Sequence, residues 1–169
     1  KVGQKVWAGY NPGARKQIRA HHSATHILHS SLRNVLGDHV NQAGSHVQAD
    51  RLRFDYSHFE APTDAHIRAI EADANGKVIE NDGVATDVLP FDEAKERGAI
   101  ALFGEKYGDV VRVITMGESV EFCGGTHVKQ TGDIDLVLVA REEAIASGVR
   151  RLEAEVGEAA RSRTATHYE

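Results

Sequence analysis

The sequence predicts an α+β fold in which an antiparallel sheet is covered by helices. Helical apolar periodicity leads up to Gly37, residues 52–57 alternate apolar and polar side chains, and the last third of the chain is rich in strand-like segments. Strands interspersed irregularly with helices favour an antiparallel sheet over a doubly wound parallel one. At 169 residues, the chain suits one domain with a buried core.

The elements of the first half follow from turn and capping residues. Residues 2–10 are predicted to form a strand that ends at Asn11-Pro12-Gly13. The same trio would equally begin a helix, with Asn11 as N-cap and Pro12 at the first helical position. The next predicted elements are a long helix up to Gly37, a strand over 52–57, a helix capped by Thr63, and a short helix capped by Asp92 before Gly98.

The second half is predicted to be mostly strand. Residues 110–116 and 118–122 flank Gly117 and are typical of a hairpin. Two further strands are predicted over 134–140 and 149–156, followed by a helix-like tail over 158–169.

Composition restricts the classes of protein. The longest apolar runs have five residues, too short to cross a bilayer, and no signal segment opens the chain. The single cysteine excludes an internal disulfide and fits a reducing compartment, so we expect a cytoplasmic protein. The net charge of −5 argues against a surface covered in nucleic-acid contacts, although a local basic track remains compatible with it.

Two short segments concentrate metal-binding residues. His22 and His26 are four residues apart, so on a helix both imidazoles can point at one ion. Cys123 is followed by two glycines and then by Thr126 and His127, and the glycines permit a tight turn. Two imidazoles and a thiolate form a set that zinc favours, with the fourth position taken by His127 or by water.

Simpler interpretations compete with this one. His29 shares the helix face of His22 and His26, so spacing alone does not choose the ligand pair, and a lone cysteine is more often a small buried hydrophobe. The chain lacks the metalloprotease helix motif, the second cysteine of a zinc deaminase, and the phosphate loop of an ATP site.

For phosphate contacts, the candidates are Arg150, Arg151 and the Arg51/Arg53 pair, against the alternative of ordinary surface charge.

Residues 22–29 resemble the histidine helix of alanyl-tRNA synthetase editing domains. Further stretches that resemble this family, in the family's order, are 52–57, 103–108, 122–127 and 147–151. The related threonyl-tRNA synthetase editing domain shares the two metal-binding patterns. The residues around them here, Ser-Ala-Thr and Gly-Gly-Thr, are similar to the alanyl version.

The resemblance implies a fold, a site and a reaction. It implies a zinc site between a long helix and a strand-end loop, with His22, His26 and Cys123 as ligands and His127 as the fourth candidate. It also implies Thr25, Gln42 and Ser45 around the aminoacyl group. The implied reaction is hydrolysis of serine and glycine from mischarged tRNA(Ala), with membranes and DNA excluded as partners.

The resemblance also implies surroundings for the domain. We expect an editing domain over 1–157, with 158–169 beginning a helical tail that leads to the rest of a synthetase, whose charging half alone would use ATP and Mg²⁺. The start at Lys1 favours a domain cut from a synthetase over a free-standing AlaX-type protein. The remaining alternative is a tRNA-binding module with structural zinc and no catalysis.

Overall fold

The computed structural model describes residues 2–101 and 106–165, and in these ranges the chain forms four α-helices and seven strands. The helices are α1 (Pro12–Leu36), α2 (Asp64–Glu80), α3 (Phe91–Glu96) and α4 (Glu158–Ala165). The strands are β1 (Gln42–Val47), β2 (Leu52–Ser57), β3 (Val84–Pro90), β4 (Val110–Met116), β5 (Ser119–Phe122), β6 (Val137–Ala146) and β7 (Val149–Val156). The predicted α+β class is confirmed.

The strands form two antiparallel sheets rather than one. The larger sheet has the order β1-β2-β7-β6, and the smaller has the order β3-β4-β5. The predicted β4-β5 hairpin is present, but β4 pairs on its other side with β3, from Val84 against Met116 to Pro90 against Val110. This pairing gives the hairpin a sheet of its own, and β5 of that sheet contacts α1.

The capping residues at its two ends fix the long helix α1. Asn11 Oδ1 accepts a hydrogen bond from the Ala14 amide at 3.1 Å, and Pro12 occupies the first turn. Gly37, at φ +113°, ends the helix in a conformation that side chains other than glycine rarely adopt. The helical interpretation of Asn11-Pro12-Gly13 is therefore confirmed. The predicted strand over 2–10 is wrong, because these residues pair with no described strand.

The main core lies between α1, α2 and the larger sheet. Ile27, Leu28 and Leu32 of α1 are fully buried, as are Phe54 and Tyr56 of β2. Each such side chain contributes about 1.5–3 kcal/mol by leaving water. This packing holds one face of α1 against the sheet and fixes where its polar residues point.

Two other predicted boundaries change, and a third is confirmed. Pro90, not Asp92, is the N-cap residue of α3, and Asp92 lies in its first turn. The strand predicted from 134 begins instead at Val137, because Thr131–Ile134 forms a 3-10 turn and Asp135 has φ 72°. Thr63 caps α2 as predicted, with Oγ1 accepting from the His66 amide at 3.2 Å.

Two predictions extend beyond the described residues. The family-like stretch 103–108 has residues 103–105 outside them, and the tail 158–169 has residues 166–169 outside them. The described part of that tail is α4, and its continuation towards further domains stays a prediction. Among the described helices, none has the length and apolar character that a membrane span requires.

Candidate metal centre

Four side chains from two distant segments converge on one point. His22 and His26 lie one turn apart on α1, and Cys123 and His127 lie in the loop that follows β5. Their ligand atoms all lie within 4.8 Å of one another. The predicted position of these side chains, between a long helix and a strand-end loop, is confirmed.

The atoms of this cluster fit a metal ion. Cys123 Sγ lies 3.5 Å from His22 Nε2 and 3.4 Å from His127 Nε2. His26 Nε2 is buried and has no hydrogen-bond partner among the described residues. A buried nitrogen without a partner is costly, and an ion among these four groups would satisfy it. One thiolate and three imidazoles form a donor set typical of zinc.

The loop that carries Cys123 and His127 is held in place by two side chains. Arg112 on β4 donates from Nη1 to the carbonyl oxygens of Cys123 and Gly125, each at 2.7 Å. Ser23 on α1 accepts from the Val128 amide at 3.1 Å, and its Oγ lies 3.2 Å from His127 Nδ1. If His127 donates its Nδ1 proton to Ser23, its Nε2 carries a free lone pair that faces Cys123.

The electrostatics of the cluster favour the thiolate. Burial disfavours the charged sulfur, but the adjacent imidazoles of His127, His22 and His26 outweigh it and lower the pKa of Cys123 to about 3. Burial similarly opposes charge on His26, but Cys123 and Glu121 raise its pKa to about 9. Because a metal binds thiolate and neutral imidazole, loading this site would release the proton of His26.

Glu121, on β5, is a functional residue that the sequence reasoning missed. Its two oxygens each lie 2.9 Å from a histidine Nδ1, Oε2 with His26 and Oε1 with His29. Burial disfavours the carboxylate, but these two histidines lower the pKa of Glu121 to about 2. An ionised Glu121 only accepts hydrogen bonds, so both histidines donate from Nδ1, and in a neutral imidazole this leaves the lone pair on Nε2. The available sequence signal was a charged residue within a short predicted strand, two positions before Cys123.

His29 lies outside the ligand cluster, so the structure resolves which histidines of α1 converge. It is 1% exposed, and its Nε2 has no hydrogen-bond partner among the described residues. The same residue lines a cavity of about 380 Å³ together with Asn41 and Gln42. His29 follows His26 by three residues on α1, so the cavity that it lines comes within one helical turn of the ligand cluster.

The three residues expected around the aminoacyl group lie in different settings. Thr25 is buried on α1 and donates from Oγ1 to the carbonyl oxygen of His21 at 2.9 Å. Gln42 and Ser45 lie on β1, where Gln42 Nε2 donates to Ser45 Oγ at 3.2 Å. Of the three, Gln42 lines the cavity that His29 also lines. Their role towards a substrate stays a prediction.

Three of the four arginines expected to contact RNA are paired with carboxylates, and the fourth, Arg51, donates from Nε to Gln48 Oε1 at 3.0 Å. Arg150 makes two hydrogen bonds to Glu142, and Arg151 makes two to Asp55. Arg53 Nε lies 3.7 Å from Asp55 Oδ1. RNA contact by these residues stays a prediction, and it would require the phosphates to share or replace these carboxylates.

Comparisons with known proteins agree on one kind of relative. Residues 111–153 match the family described as the threonyl and alanyl tRNA synthetase second additional domain. The chain is 52% identical over 173 residues to an alanine–tRNA ligase of Rhodopseudomonas palustris, covering 95% of this chain and 20% of the relative. Alanine–tRNA ligases of Myxococcus xanthus and Sphingopyxis alaskensis are 52% and 54% identical over 93% and 95% of this chain. The chain covers 18% and 19% of those two proteins. It thus spans about one fifth of the length of the curated relatives it matches.

Proposed function

We propose, from the premise that this chain carries the second additional domain of the threonyl and alanyl tRNA synthetases, that it is the zinc-dependent editing unit of an alanine–tRNA ligase. Its reaction is hydrolysis of the ester that links serine or glycine to tRNA(Ala). The observation that carries the proposal is the convergence of His22, His26, Cys123 and His127 within 4.8 Å. The similarity to alanine–tRNA ligases is the reason for proposing tRNA(Ala) as the RNA of the substrate.

The need for such a reaction follows from the size of the amino acids. A charging pocket shaped for alanine cannot exclude the smaller glycine. It also rejects serine poorly, because one added hydroxyl costs a hydrophobic pocket only about a hundredfold. A second site must therefore hydrolyse the incorrect ester, as in other synthetases that use two sieves.

The donor set favours zinc over other metals. Imidazole and thiolate ligands in a compact group suit zinc, whereas magnesium and calcium prefer oxygen ligands. When bound, zinc supplies Lewis-acid chemistry, either by acidifying a water or by polarising a carbonyl or holding the substrate amine.

The protein's own groups position the substrate beside that centre. His29 and Gln42 line one cavity, where hydrogen bonds between their side chains and the hydroxyl of a seryl group would hold the substrate. Glu121 holds His29 in the tautomer that leaves Nε2 as an acceptor. A seryl hydroxyl would donate to His29, and alanine would leave that buried nitrogen unpaired.

The direct test is deacylation. We expect the chain to release serine from seryl-tRNA(Ala) much faster than alanine from alanyl-tRNA(Ala), with activity lost on zinc chelation and restored by added zinc. Equal rates on the two substrates would overturn the proofreading assignment, and full activity of metal-free protein would overturn the role of zinc.

The second candidate is a tRNA-binding module with structural zinc. The observation that favours it is that His127 completes a set of four protein ligands, since structural zinc sites are closed and catalytic ones keep an open position. Cobalt substitution distinguishes the two. A spectrum that responds to added thiol or hydroxamate indicates an exchangeable position, and an inert tetrahedral spectrum without hydrolysis indicates the module.

The cellular setting belongs to the same proposal. As part of a synthetase, the domain would act in the cytoplasm, and ATP and Mg²⁺ would serve only the charging reaction elsewhere in that protein. The free-standing alternative predicts hydrolysis of seryl-tRNA(Ala) by a short protein that lacks a charging domain. Determining the full reading frame that encodes the chain separates these two.

A further inference from the structure

A cationic groove opens directly beside the metal centre. It has a volume of about 330 Å³, and its lining includes the first turns of α1 and the loop after β5. The lining residues that matter here are Tyr10, Arg15, Lys16, Arg19, His127 and Lys129. His127 also belongs to the ligand cluster, so the groove has its inner end at the metal centre.

The cations of this groove are not neutralised by the protein. Arg15, Lys16, Arg19 and Lys129 form no ion pair with a described carboxylate, and Lys16, Arg19 and Lys129 are exposed. Outside the groove, eight arginines lie within 4.0 Å of a described carboxylate. An arginine without such an ion pair is therefore the exception in the described part of the chain. The single acid of the lining, Asp133, accepts from the Lys129 backbone amide at 3.3 Å. The groove is therefore positive on a protein whose net charge is −5.

Helix geometry aligns this charge with the metal ligands. Arg15, Arg19, His22 and His26 follow one another at spacings of four, three and four residues on α1. Residues at these spacings share one helix face, and Arg19 precedes His22 by a rise of about 4.5 Å. Along this face of α1, arginines that suit phosphate are therefore followed within one turn by histidines that suit a metal ion.

An aromatic surface lies at the outer part of the groove. Tyr10 is 67% exposed, and the Arg15 guanidinium lies 5.0 Å from its ring centroid. A cationic track with an exposed aromatic ring is the combination that binds single-stranded nucleic acid, in which phosphates contact the cations and bases stack on the ring.

We propose that this groove binds the single-stranded 3′ end of an RNA and leads its terminal nucleotide to the metal centre. Arg15, Lys16, Arg19 and Lys129 contact the phosphates, and Tyr10 stacks on a base. The proposal rests on the proposed function, because an ester at the 3′ end must reach the ligand cluster. It places the phosphate track away from Arg150 and Arg151, whose charges are already paired.

The test is RNA binding by the whole chain, measured by fluorescence anisotropy as a function of salt. The probe is a short labelled single-stranded RNA that ends in CCA. Replacing two groove cations, as Arg19→Gln with Lys129→Gln, should weaken binding and flatten the slope of log K against log salt by about 1.4, or about 0.7 per lost phosphate contact. Tyr10→Ala should weaken binding by roughly 5- to 150-fold, and Tyr10→Phe should retain it.

The matched control is Arg97→Gln with Arg141→Gln. It changes the net charge equally, and both arginines are exposed and paired with carboxylates outside the groove. A groove variant whose salt slope equals that of this control overturns the proposal. So does displacement of the RNA by inorganic pyrophosphate at equal phosphate concentration, which would indicate a site for free phosphates. Groove-dependent binding to anionic lipid vesicles without RNA binding also overturns it.

The outcome is separable from that of the proposed function. RNA binding that depends on the groove, in a protein without deacylase activity, would support the groove and reject the editing reaction. Deacylation with an unchanged salt slope in the groove variant would support the editing reaction and reject the groove. Zinc content and circular dichroism of each variant confirm that the comparison is between folded, loaded proteins.

Discussion

Gly125 packs against the imidazole of His22 so closely that a Cβ atom at position 125 would lie 2.5 Å from His22 Nδ1. No side-chain carbon tolerates that separation, so one of the two residues must move. We therefore expect Gly125→Ala to displace His22 and to reduce zinc affinity by about tenfold or more, the effect that reorienting a ligand typically has. Competition with a colorimetric chelator measures the change.

The neighbouring glycine supplies the matched control. A Cβ atom at Gly124 would meet nothing within 4 Å, so Gly124→Ala should retain the zinc affinity of the unmodified protein. Equal affinities for both variants would show that His22 is not held by this contact.

Loss of the thiolate should remove metal and activity together. Cys123 is the only cysteine of the chain and is the charged ligand of the cluster. We expect Cys123→Ala to lower the zinc content from about one ion per chain and to lower deacylation of seryl-tRNA(Ala) in proportion. His46→Ala, which removes an exposed histidine outside the cluster, should change the zinc content in neither direction. A zinc-free Cys123→Ala protein with full activity would contradict the prediction.

The carboxylate behind the ligands should affect metal affinity without binding metal. Glu121→Gln preserves size but replaces an acceptor-only carboxylate with an amide that must turn an NH₂ group towards His26 or His29. We expect zinc affinity to fall by about 10- to 100-fold, with a changed tautomer of His26 in nitrogen-15 NMR spectra. Ser119→Ala removes only one hydrogen bond to Glu121, at 3.2 Å, and should have a smaller effect. An unchanged tautomer in Glu121→Gln would refute the positioning role.

Selectivity should depend more on Gln42 than on Thr25. Gln42 lines the cavity with His29, whereas the Thr25 hydroxyl already donates to a backbone carbonyl oxygen. A site that hydrogen-bonds a hydroxyl rejects an analogue without one by about four or five orders of magnitude. We expect Gln42→Met to narrow the serine-to-alanine rate ratio strongly and Thr25→Val to narrow it less, measured by deacylation of both tRNAs. A larger effect of Thr25→Val would place the hydroxyl contact at Thr25.

Packing of α2 on α1 should depend on pH through Asp73. Partial burial opposes its charge, but hydrogen bonds from Lys77 and Ser31 outweigh it, so the pKa of Asp73 lies below its ordinary value of 3.8. Because the folded pKa is lowered, this stabilisation is present above the ordinary pKa and is lost as pH falls through the folded one.

Urea unfolding tests this dependence. Asp73→Asn should be less stable than the unmodified protein by about 0.5 kcal/mol near neutral pH, and the difference should shrink as pH falls below the ordinary pKa. The control is Asp109→Asn, which removes an exposed carboxylate without a described ion pair. A difference for Asp73→Asn that persists at pH 2 would contradict the ionic origin.

The sequence predicted those elements whose signals are local. Asn11, Thr63 and Gly37 mark helix ends through their own side chains or backbone, and β7 alternates from Arg151 to Val156. By contrast, β1 and β3 are edge strands in which no residue is buried. Without a buried face they lack apolar alternation, and only the partner strand defines them.

As with the fold, the sequence predicted only the parts of the site whose signals are local. The ligands could be located because each pair is four residues apart, but the roles of Glu121 and His29 depend on contacts across more than 90 residues. The pairing of Arg150 and Arg151 with acids is likewise a property of strand register, which places Asp55 opposite Arg151. Sequence spacing carries no information about such partners.

The position of the four ligands has a mechanical consequence for the whole domain. His26 and Cys123 are 97 residues apart in the chain (123 − 26) and join α1 to the end of the smaller sheet. An ion held between them acts as a covalent-like cross-link that closes a loop of that length. Loops of about 100 residues lose about 4.7 kcal/mol of unfolded-chain entropy when closed. The ion would therefore fasten the smaller sheet to the helix, and its affinity and the unfolding of the chain become one coupled equilibrium.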